Sequence, residues 1–181
     1  LMKLEKFVIR RMISKKETKS FNKLCKEFIN DENSIDGKIN EIDDTQIKVG
    51  LQSITNKNAA LVLFWIELYR RQNDKKYDEK ELKYNYSIMS EEDAKKDRQN
   101  KVYWIGNMTL LTTSLNTSLQ NYVFEKKING DGKKKGIKAY ASLSITKDDI
   151  ISNFDNGDKI WDEDKIIART KNLTKEISQI W

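Results

Sequence analysis

The residues of this chain whose types and spacing can do chemistry gather in one block, Tyr103 to Lys127 (YWIGNMTLLTTSLNTSLQNYVFEKK). Asn107 follows Gly106 at an expected strand bend, Asn116 and Asn121 precede or begin a helix, and Lys126 and Lys127 come one or two turns later. On a strand-strand-helix unit these amides and amines can converge on one side of the helix, which is the geometry that a phosphodiester and a hard cation require. Asparagine serves turns and helix caps just as readily, and for Asn107 and Asn116 spacing alone favours that plainer role.

Basic groups elsewhere are weaker signals. Arg10, Arg11, Arg70, Arg71 and Lys133 to Lys135 can follow a DNA backbone. A solvated surface accounts for the lysines as well, and an internal ion pair with Asp or Glu of a neighbouring helix accounts for Arg10 and Arg11. Trp65, Trp161 and Trp181 read as packing groups, whereas Trp104, next but one to Gly106, can border the site.

What is missing excludes more than what is present. The chain has no histidine, so it contains no Ser-His-Asp or Cys-His machinery, no zinc site with His ligands and no imidazole base. A net charge of +6 and a pI near 9.2 permit a polyanionic partner without establishing one. The single Cys25 forms no internal disulfide, which suits a reducing cytoplasm. The longest apolar run, Ala59 to Leu68, is interrupted by Glu67 and too short for a bilayer, and Leu1 to Val8 is no secretory signal. The opening residues read as part of something longer.

Several elements must position the block. Leu4, Phe7, Val8 and Met12 share a helical face within Leu1 to Ser14, with Arg10 and Arg11 turned largely away, and Phe21, Leu24, Cys25 and Phe28 predict a second helix. Asn30 to Asp44 reads as a loop with one short element. From Asn58, a candidate cap, a helix apolar on nearly every side should be central. Tyr84, Tyr86 and Ile88 alternate as a strand does, Ser90 to Asp93 suit a helix start, and Val102 to Thr112 reads as a second strand bent at Gly106-Asn107. Ser114 to Ile128 should be one helix with Leu115, Leu119 and Val123 inward, followed by a mobile basic loop over Asn129 to Gly136. Thr146 is expected to cap a helix through Phe154, and a last helix beginning near Trp161 docks Ile166, Thr170, Leu173, Ile177 and Ile180 on the core.

The block resembles the C-terminal domain of GmrSD-type restriction endonucleases, a His-Asn-His-like (HNH-like) nuclease family of bacterial proteins that attack modified foreign DNA. Its pattern Ile/Leu-Gly-Asn-Leu-Thr-Leu-Leu is matched by Ile105 to Leu111, Leu-Asn-x-Ser-Leu-x-Asn by Leu115 to Asn121, and Phe-x-x-Lys by Phe124 to Lys127. Glu5 to Arg11 is similar to the Arg-Arg helix that opens the region, and Trp161 to Trp181 to the helix that closes it. The resemblance implies a mainly α (α+β) domain in which helices surround a small ββα-metal unit. The parts are a helical region 1–82, the ββα unit 83–128 and a helical closure 129–181, all in one compact domain. It implies Mg²⁺ or Mn²⁺, DNA as substrate, a role in phage defence, and a nucleotide-dependent N-terminal domain in the parent protein; the short apolar run already speaks against a membrane partner. By analogy Asn107 orients the base, Asn116 or Asn121 sits at the metal or scissile phosphate with Asn121 as the expected ligand, and Lys126 and Lys127, with Arg10 and Arg11, neutralise phosphate charge.

One departure from the pattern is serious. Family members carry a Glu-His-Ile-Met-Pro-Gln-like segment after a strand such as Tyr-Ser-Ile, and its histidine activates water. Here Tyr86-Ser87-Ile88 runs directly into Met89-Ser90. Either the segment is deleted, leaving a catalytically silent nucleic-acid-binding or interaction module, or it is missing from the chain as written. Closeness to the family on both sides favours the second, and a Cα separation of about 3.8 Å at Ile88–Met89 speaks against it.

Overall fold

Helix α1 (Met2–Ser14) packs Phe7 and Ile13 inward, and Arg10 with them. The inward turn of Arg10 departs from the sequence expectation because its guanidinium has polar partners to reach: Nε and Nη2 donate to the carbonyl of Ile42 at 3.0 and 2.6 Å, and Nη2 meets Asp44 at 3.0 Å. In this computed structural model residues 2–16, 21–74, 100–119, 122–157 and 159–181 are described in full, and 86–90 by their backbone. Helix α2 (Phe21–Asn30) follows, then α3 (Asp36–Asn40) inside the expected loop, and α4 (Asp44–Leu51). Helix α4 begins at a capping box in which Asp43 Oδ1 accepts from Gln46 N–H and Gln46 Oε1 accepts from Asp43 N–H. The central helix α5 (Asn56–Asn73) is capped by Thr55, whose hydroxyl accepts from Asn58 N–H, rather than by Asn58 itself.

Strands β1 (Tyr86–Ser90) and β2 (Met108–Thr112) pair antiparallel, with Tyr86 opposite Thr112, Ile88 opposite Leu110, Met89 opposite Thr109 and Ser90 opposite Met108. The ladder therefore passes through Ile88–Met89 rung by rung. Ser90 ends β1, and the helix expected from it falls outside the described residues, as do Tyr84 and residues 91–99. The second strand is shorter than expected: Val102 to Asn107 forms a turn and a 3₁₀ turn (Ile105–Asn107) instead of extended chain. Its Gly106 lies against α9 (Glu163–Ile180), and a Cβ there would overlap the Ile166 carbonyl and the Thr170 hydroxyl.

Strand β2 is buried on both faces, as the period of two requires of a strand between two cores. Met108 and Leu110 belong to the main cluster with Ile13, Leu63, Ile66, Leu173 and Trp181. Leu111 joins a second cluster with Leu119, Ile128, Ile137, Phe154 and Trp161. Thr109 is also buried and shares a 2.7 Å hydrogen bond with Thr146. That bond explains why Thr146 is no cap. The helical run 144–156 (α8) starts two residues earlier at Ser144, and Thr146 faces β2 from within it, just before a π-helical turn at Lys147–Ile151. The main cluster draws on residues from Ile13 to Trp181, while Leu24 of α2 and Ile39 of α3 pack with Phe7 in a third cluster.

The expected single helix over 114–128 is two. Helix α6 (Thr113–Leu119) follows β2 without a linker and contacts both strands, and α7 (Phe124–Asn129) starts after a turn in which Tyr122 N–H donates to the Leu119 carbonyl. The break turns Val123 outward, at 66% exposure, against the expectation that it faces the core. Because Gly106 has no room for a side chain, Gly106→Ala should force α9 away from the turn and destabilise the domain by about 1–3 kcal/mol. A thermal midpoint within 1 °C of the parent protein, by circular dichroism, would contradict that packing.

Candidate nucleic-acid interface

The strand-strand-helix unit is positioned by three arginines, Arg70, Arg71 and Arg169, and three carboxylates, Glu67, Asp149 and Glu176. Arg169, on α9 and 5% exposed, donates to the carbonyls of Gly106 (3.0 Å), Met108 (2.5 Å) and Ile145 (3.0 Å) and to Asp149 Oδ2 (3.0 Å). One guanidinium thus ties the 3₁₀ turn, the start of β2 and α8 to α9. Burial pulls its pKa below the ordinary arginine value while Asp149 works in the opposite sense. Asp149 also receives both Nη atoms of Arg70, which is paired with Glu176 at 2.7 Å. For Arg70 burial opposes the charge, but the Glu176 and Asp149 carboxylates outweigh it and hold the pKa above the usual value.

Glu67, fully buried on α5, accepts from Arg71 Nε (2.8 Å), the backbone N–H groups of Ser144 and Ile145 (each 3.0 Å) and the Ser144 hydroxyl (2.7 Å). It therefore supplies acceptors to the N–H groups at the start of α8, which lacks a side-chain cap of its own. Arg71 also reaches the Ser142 carbonyl at 3.0 Å. Arg70 and Arg71 thus act as internal struts.

The candidate residues are distributed unevenly. Asn107 is buried in the 3₁₀ turn, and its Nδ2 donates to the Val102 carbonyl at 3.2 Å, closing the turn that carries it. Asn116 is half-buried on α6 beside the two strands, and Asn121 lies outside the described residues. On α7 Lys126 is exposed and Lys127 buried. Arg10 is bound to Ile42 and Asp44, and Arg11 to Glu41 at 3.0 Å with its guanidinium over the Phe7 ring. Trp104 is part of the second core, with Lys101 over its ring.

The basic loop after α7 is laced rather than loose. Asp131 Oδ1 accepts from Lys133 and Lys134 N–H at 3.1 and 2.9 Å, and its Oδ2 from the Tyr122 hydroxyl at 2.6 Å. The Tyr122 hydroxyl first, and the Lys134 amide next, hold the Asp131 pKa down to about 2. Gly130, at φ 89°, permits the close return of the chain, because a Cβ there would strike the Lys134 carbonyl.

The model of the GmrSD restriction endonucleases, C-terminal domain, matches residues 36–176. The chain belongs to that family. The match begins at the first residue of α3 and ends within α9, so it takes in the paired strands, α6 and the buried charge network. No curated protein and no solved structure matches. No helix among the described residues is long and apolar enough to cross a membrane.

A nuclease of this family calls for a test of whether the residues present suit a hard divalent cation, which takes oxygen ligands with carboxylates foremost. Among the described residues no three His, Cys, Asp or Glu side chains converge, and α6 (TSLNTSL) carries no carboxylate. Hydroxyls and the Asn116 amide are what α6 offers, so the described residues by themselves do not fit such an ion.

Proposed function

We propose that this chain is the DNA-engaging domain of a restriction endonuclease. In this reading β1, β2 and α6 form an HNH-like ββα unit serving hydrolysis of DNA phosphodiester bonds in phage defence. The observation that supports it is the order and packing of the unit: two antiparallel strands, then at once a helix touching both, within the region matched by the GmrSD C-terminal domain. Hydrolysis requires water to attack phosphorus while a base removes its proton. This chain has no imidazole for that task, and β1 runs from Ile88 to Met89 without interruption. The base, and carboxylate ligands for Mg²⁺ or Mn²⁺, would then come from beyond the described residues, and Asn121, which also lies outside them, would add its amide oxygen as a ligand. Asn116 would sit at the phosphate and Lys126 would offset its charge, with Lys127 behind it. Arg10 and Arg11, paired on α1, would contribute through the fold. A cytoplasmic site and a nucleotide-dependent domain in the same parent protein belong to this reading.

The absence of histidine favours a second reading, a catalytically silent DNA-binding or protein-interaction module that kept the scaffold. Incubation of the protein with plasmid and phage DNA, first with Mg²⁺ or Mn²⁺ and then with EDTA, separates the two. Nicks that accumulate with the cation and stop with the chelator establish the nuclease. Intact supercoiled DNA under every condition, despite measurable binding, establishes the silent module.

A further inference from the structure

The loop 129–136 combines three features. It is strongly basic: Lys133, Lys134 and Lys135 are exposed in succession, Lys126 on α7 is close enough to influence Asp131, and among the described residues none of the four is in an ion pair. It is built to hold one shape: Asp131 fixes two of its amides, Asp131 N–H donates to the Lys134 carbonyl at 3.1 Å, and Gly130 and Lys135 form a bridge across it. Its stems are anchored, since Ile128 before it and Ile137 after it are fully buried in the second core. Gly136 completes the closure, because a Cβ there would strike the Ile128 carbonyl and the Gly130 nitrogen.

A surface lysine run without an assigned role normally stays mobile in solvent. Here the Asp131, Lys133 and Lys134 N–H groups are bonded inside the loop, and the lysines stand exposed on that frame. Ordering before contact lowers the entropic cost of binding. The Tyr122 hydroxyl that grips Asp131 belongs to the turn between α6 and α7, so the frame is joined directly to the strand-strand-helix unit.

We propose that loop 129–136 is a preformed tongue that grips the phosphate backbone of duplex DNA, with Lys133, Lys134 and Lys135 as its contacts and Lys126 at its base. The tongue rests on the DNA-engaging function proposed above and names the surface that does the holding. Phosphate contacts of this kind are independent of base sequence and position the duplex on the unit. Each phosphate neutralised by a lysine releases counterions, so log K falls with log salt by about 0.9 per contact.

The test is fluorescence anisotropy of a labelled duplex with the whole protein over a series of NaCl concentrations. The tongue variant is Lys133→Gln, Lys134→Gln, Lys135→Gln. A second variant, Lys23→Gln, Lys48→Gln, Lys57→Gln, removes the same charge from exposed positions on α2, α4 and α5. The tongue variant should lose about 2–3 from the salt slope and at least about tenfold in affinity near 100 mM salt, with its thermal midpoint unchanged, while the second variant changes the slope by less than about 1. Equal losses in both variants, or an unchanged slope in the tongue variant while the parent protein binds, would overturn the tongue and leave the DNA-binding function intact. If the parent protein fails to bind at low salt, the function falls, and the tongue with it.

Discussion

Arg169→Met should destabilise the domain by about 3–5 kcal/mol and lower the thermal midpoint by roughly 10 °C. The side chain is buried and holds three carbonyls and Asp149, and methionine replaces none of those donors. The carbonyls of Gly106, Met108 and Ile145 would be left without their buried donor, the most costly way to lose a hydrogen bond. Asp149 keeps Arg70, so the damage should concentrate at the 3₁₀ turn and the start of β2. Amide hydrogen exchange in Ile105 to Thr112 should accelerate more than in α1 to α3, which Arg169 does not touch. Arg169→Lys should recover less than half of the loss, because a single ammonium cannot reproduce the planar fork. A variant melting within 2 °C of the parent protein would show that the guanidinium is not what holds the turn.

Glu67→Leu should cost a similar ~3–5 kcal/mol by a different route. It removes the buried carboxylate that Arg71 Nε meets and deprives the Ser144 and Ile145 amides of their acceptor. The double change Glu67→Leu, Arg71→Leu removes both charges together and should be less destabilised than the sum of the two single changes by about 1 kcal/mol or more. Chemical unfolding of the four proteins measures that coupling. Additive losses would mean that Glu67 acts only through α8, with the ion pair contributing nothing.

Both predictions concern residues that the sequence hardly announces. Helix periodicity located α1, α2 and α9, whose repeated apolar faces dock on a core, and a run apolar on nearly every side located α5. Arg169 and Glu67 lie among buried positions of α9 and α5, and a polar residue on such a face looks like a lapse in the pattern until its long-range partners are known. Those partners lie 20 to 64 residues away for Arg169, and for Glu67 the Ser144 and Ile145 groups lie 77 and 78 away, a separation no local rule can bridge, although Arg71 lies within reach of the i,i+4 rule.

The Gly-Asn block stood out in the sequence by the placing of its polar residues, and in the fold Asn107 Nδ2 donates to the Val102 carbonyl within its own turn. Cuts were harder to read than continuities. The helix expected over 114–128 breaks because Tyr122 turns back on Leu119, and Val123 becomes exposed as a result. The signal for α4 was present in Asp43 and Gln46, three residues apart, and a search for capping boxes finds it. For the basic loop, composition suggested mobility. The decisive residue was Asp131 between two glycines, whose carboxylate organises the turn around itself.

The proposal that this domain engages DNA is tested most directly by the salt titration of the unaltered protein with a duplex. Binding in the micromolar range at low salt, weakening linearly on a double-logarithmic plot as NaCl is raised, is the predicted result. No saturable binding to duplex DNA at ~50 mM salt, from a protein shown to be folded, would contradict it.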